Sequence, residues 1–136
     1  MANCKIEEIE GIGPAYAEKL QAAGIKDTDG LLEKCCSKAG RKEVCESTGL
    51  SSTQILKWTN MADLFRIKGV AGEYAELLEC AGVDTVVELG TRNAENLAAK
   101  LAEMNKEKKL TRRVPPPSTV ADWVSQAKDL PRKMEY

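Results

Sequence analysis

An all-α fold is what this sequence predicts: a compact, pseudo-symmetric helical bundle made of two copies of one helix–glycine turn–helix unit. Three observations carry that expectation. Apolar residues recur at helical spacing, and no convincing alternating stretch marks a strand. Ser, Thr, Asp and Asn stand where helices would start, and Gly or Asn where they would stop. The chain also matches itself. Ile9 to Ile25 lies over Ile67 to Val83 without a gap, with Ile9/Ile67, Gly11/Gly69, Tyr16/Tyr74, Ala17/Ala75, Glu18/Glu76, Leu20/Leu78, Ala23/Ala81 and Gly24/Gly82 identical.

The first unit opens with a short apolar-periodic helix carrying Ile6 and Ile9, which runs into Gly11-Ile12-Gly13. The two glycines permit positive φ and close approach of another backbone. Pro14 fits the first turn of the next helix, where a missing N–H costs nothing. That helix carries Ala17, Leu20 and Ala23, and Gly24 ends it. Asp27 or Thr28 caps a short helix with Leu31, Leu32 and Cys35, and Ser37 caps another through Val44 and Cys45. Gly49-Leu50-Ser51-Ser52 is a second glycine corner. It starts a helix with Ile55, Leu56 and Trp58.

The second unit repeats this plan. Thr28 and the Leu31-Leu32 pair are set against Thr85 and Val86-Val87, and Ile55, Trp58 and Ala62 against Val120, Trp123 and Ala127. The repeat is about sixty residues long, dividing the chain into 1–62 and 63–136. Asn93 caps a helix with Leu97, Leu101 and Met104. Arg112-Arg113-Val114-Pro115-Pro116-Pro117 forms an extended joint, since consecutive prolines hold polyproline II geometry. Ser118 caps the last helix, with Val120, Trp123, Val124 and Ala127 on one face, and the residues after it are expected to fray.

Charge narrows the function classes. The formal net charge is −1, so no global field recruits nucleic acid. Lys+Arg against Asp+Glu is 4 against 7 over residues 1–35, 3 against 7 over 61–99, and 9 against 5 over 100–136. Both glycine-turn regions are therefore acidic, while the last third is basic. Lys5 and the glutamates after it interrupt any apolar run, so no secretory leader is expected, and no run approaches the ~20 apolar residues of a membrane span. The five cysteines are an odd set without framework spacing, which points to a reducing, cytoplasmic setting.

Gly11-Ile12-Gly13-Pro14, Ala17-Glu18-Lys19-Leu20 and Ala23-Gly24-Ile25 together resemble the helix-hairpin-helix motif. The first unit, with its Gly49-Leu50-Ser51 corner, resembles the small N-terminal domain of the RecA/Rad51-type recombinases of archaea and eukaryotes. The whole chain, with its duplication and Asn60-Met61-Ala62-Asp63-Leu64, resembles an uncharacterised bacterial family, a domain of unknown function with tandem helix-hairpin-helix units. In DNA-binding members of the motif class, main-chain amides of the turn hold phosphates beside a Lys or Arg. The resemblance carries that role to Gly11, Ile12 and Gly13 with Lys19, and to Gly69 and Val70 with Arg66 and Lys68 flanking. Two departures count against it. Ala71 stands where the second glycine of the copy would be, and Glu7, Glu8 and Glu10 crowd the first turn.

Lys106, Lys108, Lys109, Arg112 and Arg113 form a basic cluster. Arg112 and Arg113 would add phosphate contacts or receive an acidic partner; the plainer reading is a solvated helix end. Trp58 and Trp123 are either base-stacking platforms or, on their helical spacing, core residues; Tyr16 and Tyr74 read as packing residues with exposed hydroxyls. Cys35-Cys36 with Cys45 lacks C-x-x-C, and the chain has no histidine, so no metal set forms. A reactive thiol near Arg41 is the sharper reading and buried apolar thiols the simpler one. No catalytic constellation or cofactor motif appears. The function expected is non-enzymatic, weak, sequence-independent binding of DNA or RNA phosphates. The alternative is a protein-interaction adaptor that kept the fold and lost the phosphate site. Neither needs a membrane.

Overall fold

The structure, a computed structural model, describes residues 4–9, 11–70 and 72–135. Glu10 and Ala71, on which two of the expectations above fall, lie outside the described residues. Among the described residues the regular structure is helical. After a single 3-10 turn at Ile6–Glu8 come α1 (Pro14–Ala22), α2 (Thr28–Cys35), α3 (Lys38–Thr48), α4 (Ser52–Leu64), α5 (Gly72–Cys80), α6 (Val86–Gly90), α7 (Ala94–Lys108) and α8 (Pro117–Asp129). One isolated antiparallel bridge joins Lys5 to Asp27. No helix among these residues is long and apolar enough to cross a membrane.

The helix starts follow capping chemistry. Asp27 accepts from the Gly30 amide at 2.7 Å, Ser37 from Gly40 at 3.1 Å, and Asn93 from Asn96 at 3.0 Å. Ser51 and Gln54 form a reciprocal capping box on α4. Each such cap contributes about 1 kcal/mol. Three expectations need correction. The segment before Gly11 is one 3-10 turn, because the Ile9 amide closes on the Ile6 carbonyl and the chain then turns at Gly11. Ser118 does not cap α8: Pro116 is the N-cap and Pro117 the first helical residue, where the fixed φ of proline is already helical. Thr85 corresponds to Asp27, not Thr28, since it is Thr85 that caps α6, accepting from the Glu88 amide at 3.3 Å.

Residues 58 positions apart adopt the same local conformation. Gly11 and Gly69 both have φ +95°, and Gly24 and Gly82 have +87° and +91°. The Ile25 amide bonds the Leu20 carbonyl and Val83 the Leu78 carbonyl, each at 2.9 Å, so α1 and α5 end in the same Schellman closure. Lys34 reaches back to the Ala23 carbonyl at 2.9 Å, and Arg92 to the Gly82 carbonyl at 3.0 Å. Tyr16 meets Trp58 with ring centroids 5.2 Å apart, and Tyr74 meets Trp123 at 5.3 Å, both tilted.

One buried apolar cluster runs from Ile6 to Met134. Within it α2 packs on α4, α6 on α8, and α4 on α5, which joins the two halves of the chain. Asp63 and Arg66 lock that joint. They pair at 2.8 Å with both side chains buried, and the other Asp63 oxygen accepts from the Val86 amide at 2.8 Å. Arg66 also donates to the Pro131 carbonyl at 2.6 Å.

That bond belongs to a strap, and the expected fraying does not occur over residues 131–135. Met134 is buried in the core. The Glu135 amide bonds the Cys36 carbonyl at 2.8 Å, and the Glu135 carbonyl accepts from Arg41 at 2.8 Å. Two buried guanidiniums and one apolar side chain thus tie the C-terminal segment across both halves.

Candidate nucleic-acid interface

Local sequence builds both glycine turns alike. The apolar residue between the turn positions plugs the core: Ile12 and Val70 are buried. Their amides donate to the Ile9 and Ile67 carbonyls, each at 3.1 Å, which closes the turn. Gly11 and Gly69 both need glycine for their backbone, and Gly69 needs it for space as well. Their φ is left-handed, and a Cβ would lie 3.4 Å from Trp58 Nε1 and 3.2 Å from Trp123 Nε1 respectively. The two tryptophans are buried at 3 % and 1 % exposure, so they pack under the turns as core residues. The tyrosine hydroxyls are engaged: Tyr16 accepts from Gln54 at 3.3 Å, and Tyr74 donates to the Arg113 carbonyl at 3.1 Å.

The first turn leaves backbone donors accessible. Ile12 is excluded, because its amide is spent inside the turn. Among the described residues the Gly11 and Gly13 amides have no acceptor. Gly13 is the N-cap of α1 at φ −83°, with no side-chain cap, and Pro14 follows. A Cβ at Gly13 would meet nothing within 4 Å, so neither packing nor backbone geometry asks for glycine there. No acidic residue stands in the first turn of α1. Glu7, however, lines the same shallow depression as Ile9, Gly11, Ile12 and Gly13. Lys19 is exposed and sits in the last turn of α1, about 9 Å of helix rise beyond Gly13. It does not line the depression, although helical side chains lean toward the N-terminus and so toward it.

The second turn is occupied by its own protein. The Val70 amide is spent internally, as at Ile12. Gln126 clasps Lys68, its Oε1 accepting from the Lys68 amide at 2.9 Å and its Nε2 donating to the Lys68 carbonyl at 3.2 Å. The Lys68 side chain is exposed, as is Gly69. Arg66 is not a flanking cation: it is 4 % exposed and committed to Asp63 and Pro131. The first turn of α5 already carries Glu73, which serves the helix dipole where an anion would bind.

Sequence spacing did not show that the joint arginines approach the turns. Asn105 is buried at the end of α7 and grips Thr111 through two hydrogen bonds, at 2.9 and 3.1 Å. Thr111 Oγ1 donates to the Arg113 carbonyl at 3.0 Å. Those bonds set Arg112 and Arg113 on a depression that they share with Gly72, Tyr74, Glu73, Glu7 and Glu8. Glu7 lines both depressions. The first turn, the joint arginines and the start of α5 therefore form one track that two signs of charge share.

The thiols are free in this structure. Cys35 alone is fully buried, and burial pushes its pKa to about 11, so it is protonated at neutral pH. Arg41, offered above as an activating neighbour, spends its guanidinium on the Cys35 and Cys36 carbonyls at 3.0 and 3.2 Å. Burial also raises the Cys4 and Cys80 thiols. Among the described residues no acid, thiol or imidazole cluster could hold a metal ion.

Residues 10–130 match a family described as a domain of unknown function, DUF4332. No curated protein and no solved structure matches the chain.

Proposed function

The chain belongs to the DUF4332 family, and we propose that it is a non-enzymatic, cytoplasmic module of two helix-hairpin-helix units that binds nucleic-acid phosphates weakly and without regard to sequence. The observation that carries this reading is Gly13. It has ordinary φ and open space beside it, at the uncapped, acid-free start of α1. A glycine that the fold does not require is best explained by an external group that comes close to the backbone. The Gly11 and Gly13 amides would hold one phosphate oxygen each, with Lys19 and the joint arginines Arg112 and Arg113 adding charge. The second hairpin, through Lys68 and Gly69, would contribute a side-chain contact more than a backbone one. Glu7, Glu8 and Glu73 hold affinity down.

The test is a salt titration with duplex DNA, single-stranded DNA and RNA. Up to about four phosphates neutralised by Lys19, Lys68, Arg112 and Arg113 give a slope of log K against log salt no steeper than about −4 on duplex DNA. Gly13→Val with Lys19→Glu should weaken binding to every sequence alike. Affinity no better than about 1 mM for all three at low salt refutes the reading. The carboxylates on the track favour a second reading, an adaptor that receives a basic protein segment. It predicts binding of a polylysine peptide that Glu7→Lys and Glu8→Lys abolish.

A further inference from the structure

A groove between two helices lies away from both glycine turns. It has a volume of about 530 Å³ and runs between α3, which supplies Lys38, Arg41, Lys42 and Cys45, and the start of α4, which supplies Thr53 and Leu56. Among the described residues α1, α3, α4 and α8 start without an acid in the first turn, and two of these, α3 and α4, line this groove. Helices α2, α5, α6 and α7 each carry an acidic residue in the first turn, as the helix dipole favours. Helix α3 has none. It places Lys38, Arg41 and Lys42 at its positive end instead, where cations are least welcome. Helix α4 also starts without an acid, so two helix starts and three cations raise the potential of one groove. Glu46 is the one carboxylate among its described lining residues.

The arrangement is rigid on one side and adaptable on the other. Arg41 is buried and fixed by its bonds to the Cys35, Cys36 and Glu135 carbonyls, so it forms a wall. Lys38 and Lys42 are exposed and one turn apart on the same face. Cys45 and Leu56 are half-buried and pack against the apolar core, which gives the groove a hydrocarbon floor. No aromatic side chain is among its described lining residues, so a nucleobase finds no stacking surface. Charge complementarity calls for an anion, and the floor calls for an apolar body attached to it. The volume is that of a small-molecule site.

We propose that the α3–α4 groove binds a small anionic amphiphile, a carboxylate on a medium-length hydrocarbon chain, with the carboxylate at Lys38 and Lys42 and the chain over Cys45 and Leu56. The probe is decanoate, titrated into the full chain by NMR below its micelle concentration, with decanol and acetate as controls. Decanoate saturates below about 1 mM, and acetate does not. Lys42→Glu, at an exposed position that leaves folding intact, weakens decanoate about fivefold and leaves decanol unchanged. Leu56→Gln weakens both. Absence of saturable decanoate binding overturns the proposal, as does equal binding of decanol and decanoate, or binding indifferent to Lys42→Glu. Sedimentation of the same variants covers the remaining occupant. A dimer that Lys42→Glu dissociates assigns the groove to a second copy of this chain and also overturns the proposal.

Discussion

The two glycine turns share a backbone and differ in what surrounds it. At both, a glycine at φ +95° lies over a tryptophan indole, and a buried aliphatic closes the turn. Outside that shared frame the two diverge. The second turn follows directly from α4. It is held by the buried Asp63–Arg66 pair and clasped at Lys68 by Gln126. The first is reached through a 3-10 turn with Glu7 and Glu8 exposed. Met61 occupies the place in α4 that matches Gln126 in α8, and it is apolar and buried. The helix start at the first turn has neither side-chain cap nor acid. The second turn sits at the joint between the halves, and the first leaves its Gly11 and Gly13 amides without an acceptor among the described residues. The self-match preserves three buried side chains (Ile9, Ala17 and Leu20) and the turn glycines Gly11 and Gly24, while the groups around the turns differ.

Substitutions can break this contrast at several scales. The largest effect belongs to Asp63→Ala, which leaves Arg66 charged, buried and unpaired and frees the Val86 amide. It should cost about 3–5 kcal/mol in urea denaturation. Glu8→Ala, at the position matching Arg66, should stay within about 0.5 kcal/mol. Next come Gly11→Val and Gly69→Val. Each forces a branched side chain into left-handed φ and against an indole, at about 2–4 kcal/mol. Similar costs at the two sites support equivalence, and a cost at one site alone denies it. Gln126→Ala should cost about 1 kcal/mol and speed exchange of the Lys68 amide, with no change at Gly11 or Gly13. Glu7→Gln should leave thermal stability unchanged and raise affinity for duplex DNA about threefold, since one opposing charge leaves the track. Apart from the two turns stands the alkaline limb of stability. The Cys35 thiol is pushed from 9.0 to about 11 in the folded chain. The stability that it contributes is complete below pH 9 and lost as pH rises toward 11. Cys35→Ala should flatten that limb.

Much of the fold was legible in the sequence because caps, glycine stops and apolar spacing are local signals. Asp27, Ser37, Ser51 and Asn93 mark helix starts, and Gly24 and Gly49 mark stops, without reference to the rest of the chain. What escaped was set by partners far away in sequence. Arg66 reads as a surface cation beside a turn, but Asp63 and the Pro131 carbonyl bury it. The residues after α8 read as a frayed end, yet Arg41 and Arg66 hold them by backbone carbonyls, which leave no trace in residue type. The candidate site was half legible. The glycines and Lys19 show in the pattern. That the Ile12 and Val70 amides are spent internally follows from turn closure, and that Arg112 and Arg113 reach the start of α5 follows from the Asn105–Thr111 grip. Neither has a periodic signature.

The asymmetry between the hairpins is tested most directly by an amide-resolved NMR titration of the chain with a short DNA duplex at low salt. The Gly11 and Gly13 amides should shift first and saturably, Gly69 and Val70 should move less, and added salt should reverse the shifts. Shifts led by Gly69 and Val70, or no shift at the first hairpin up to millimolar duplex, would contradict that asymmetry.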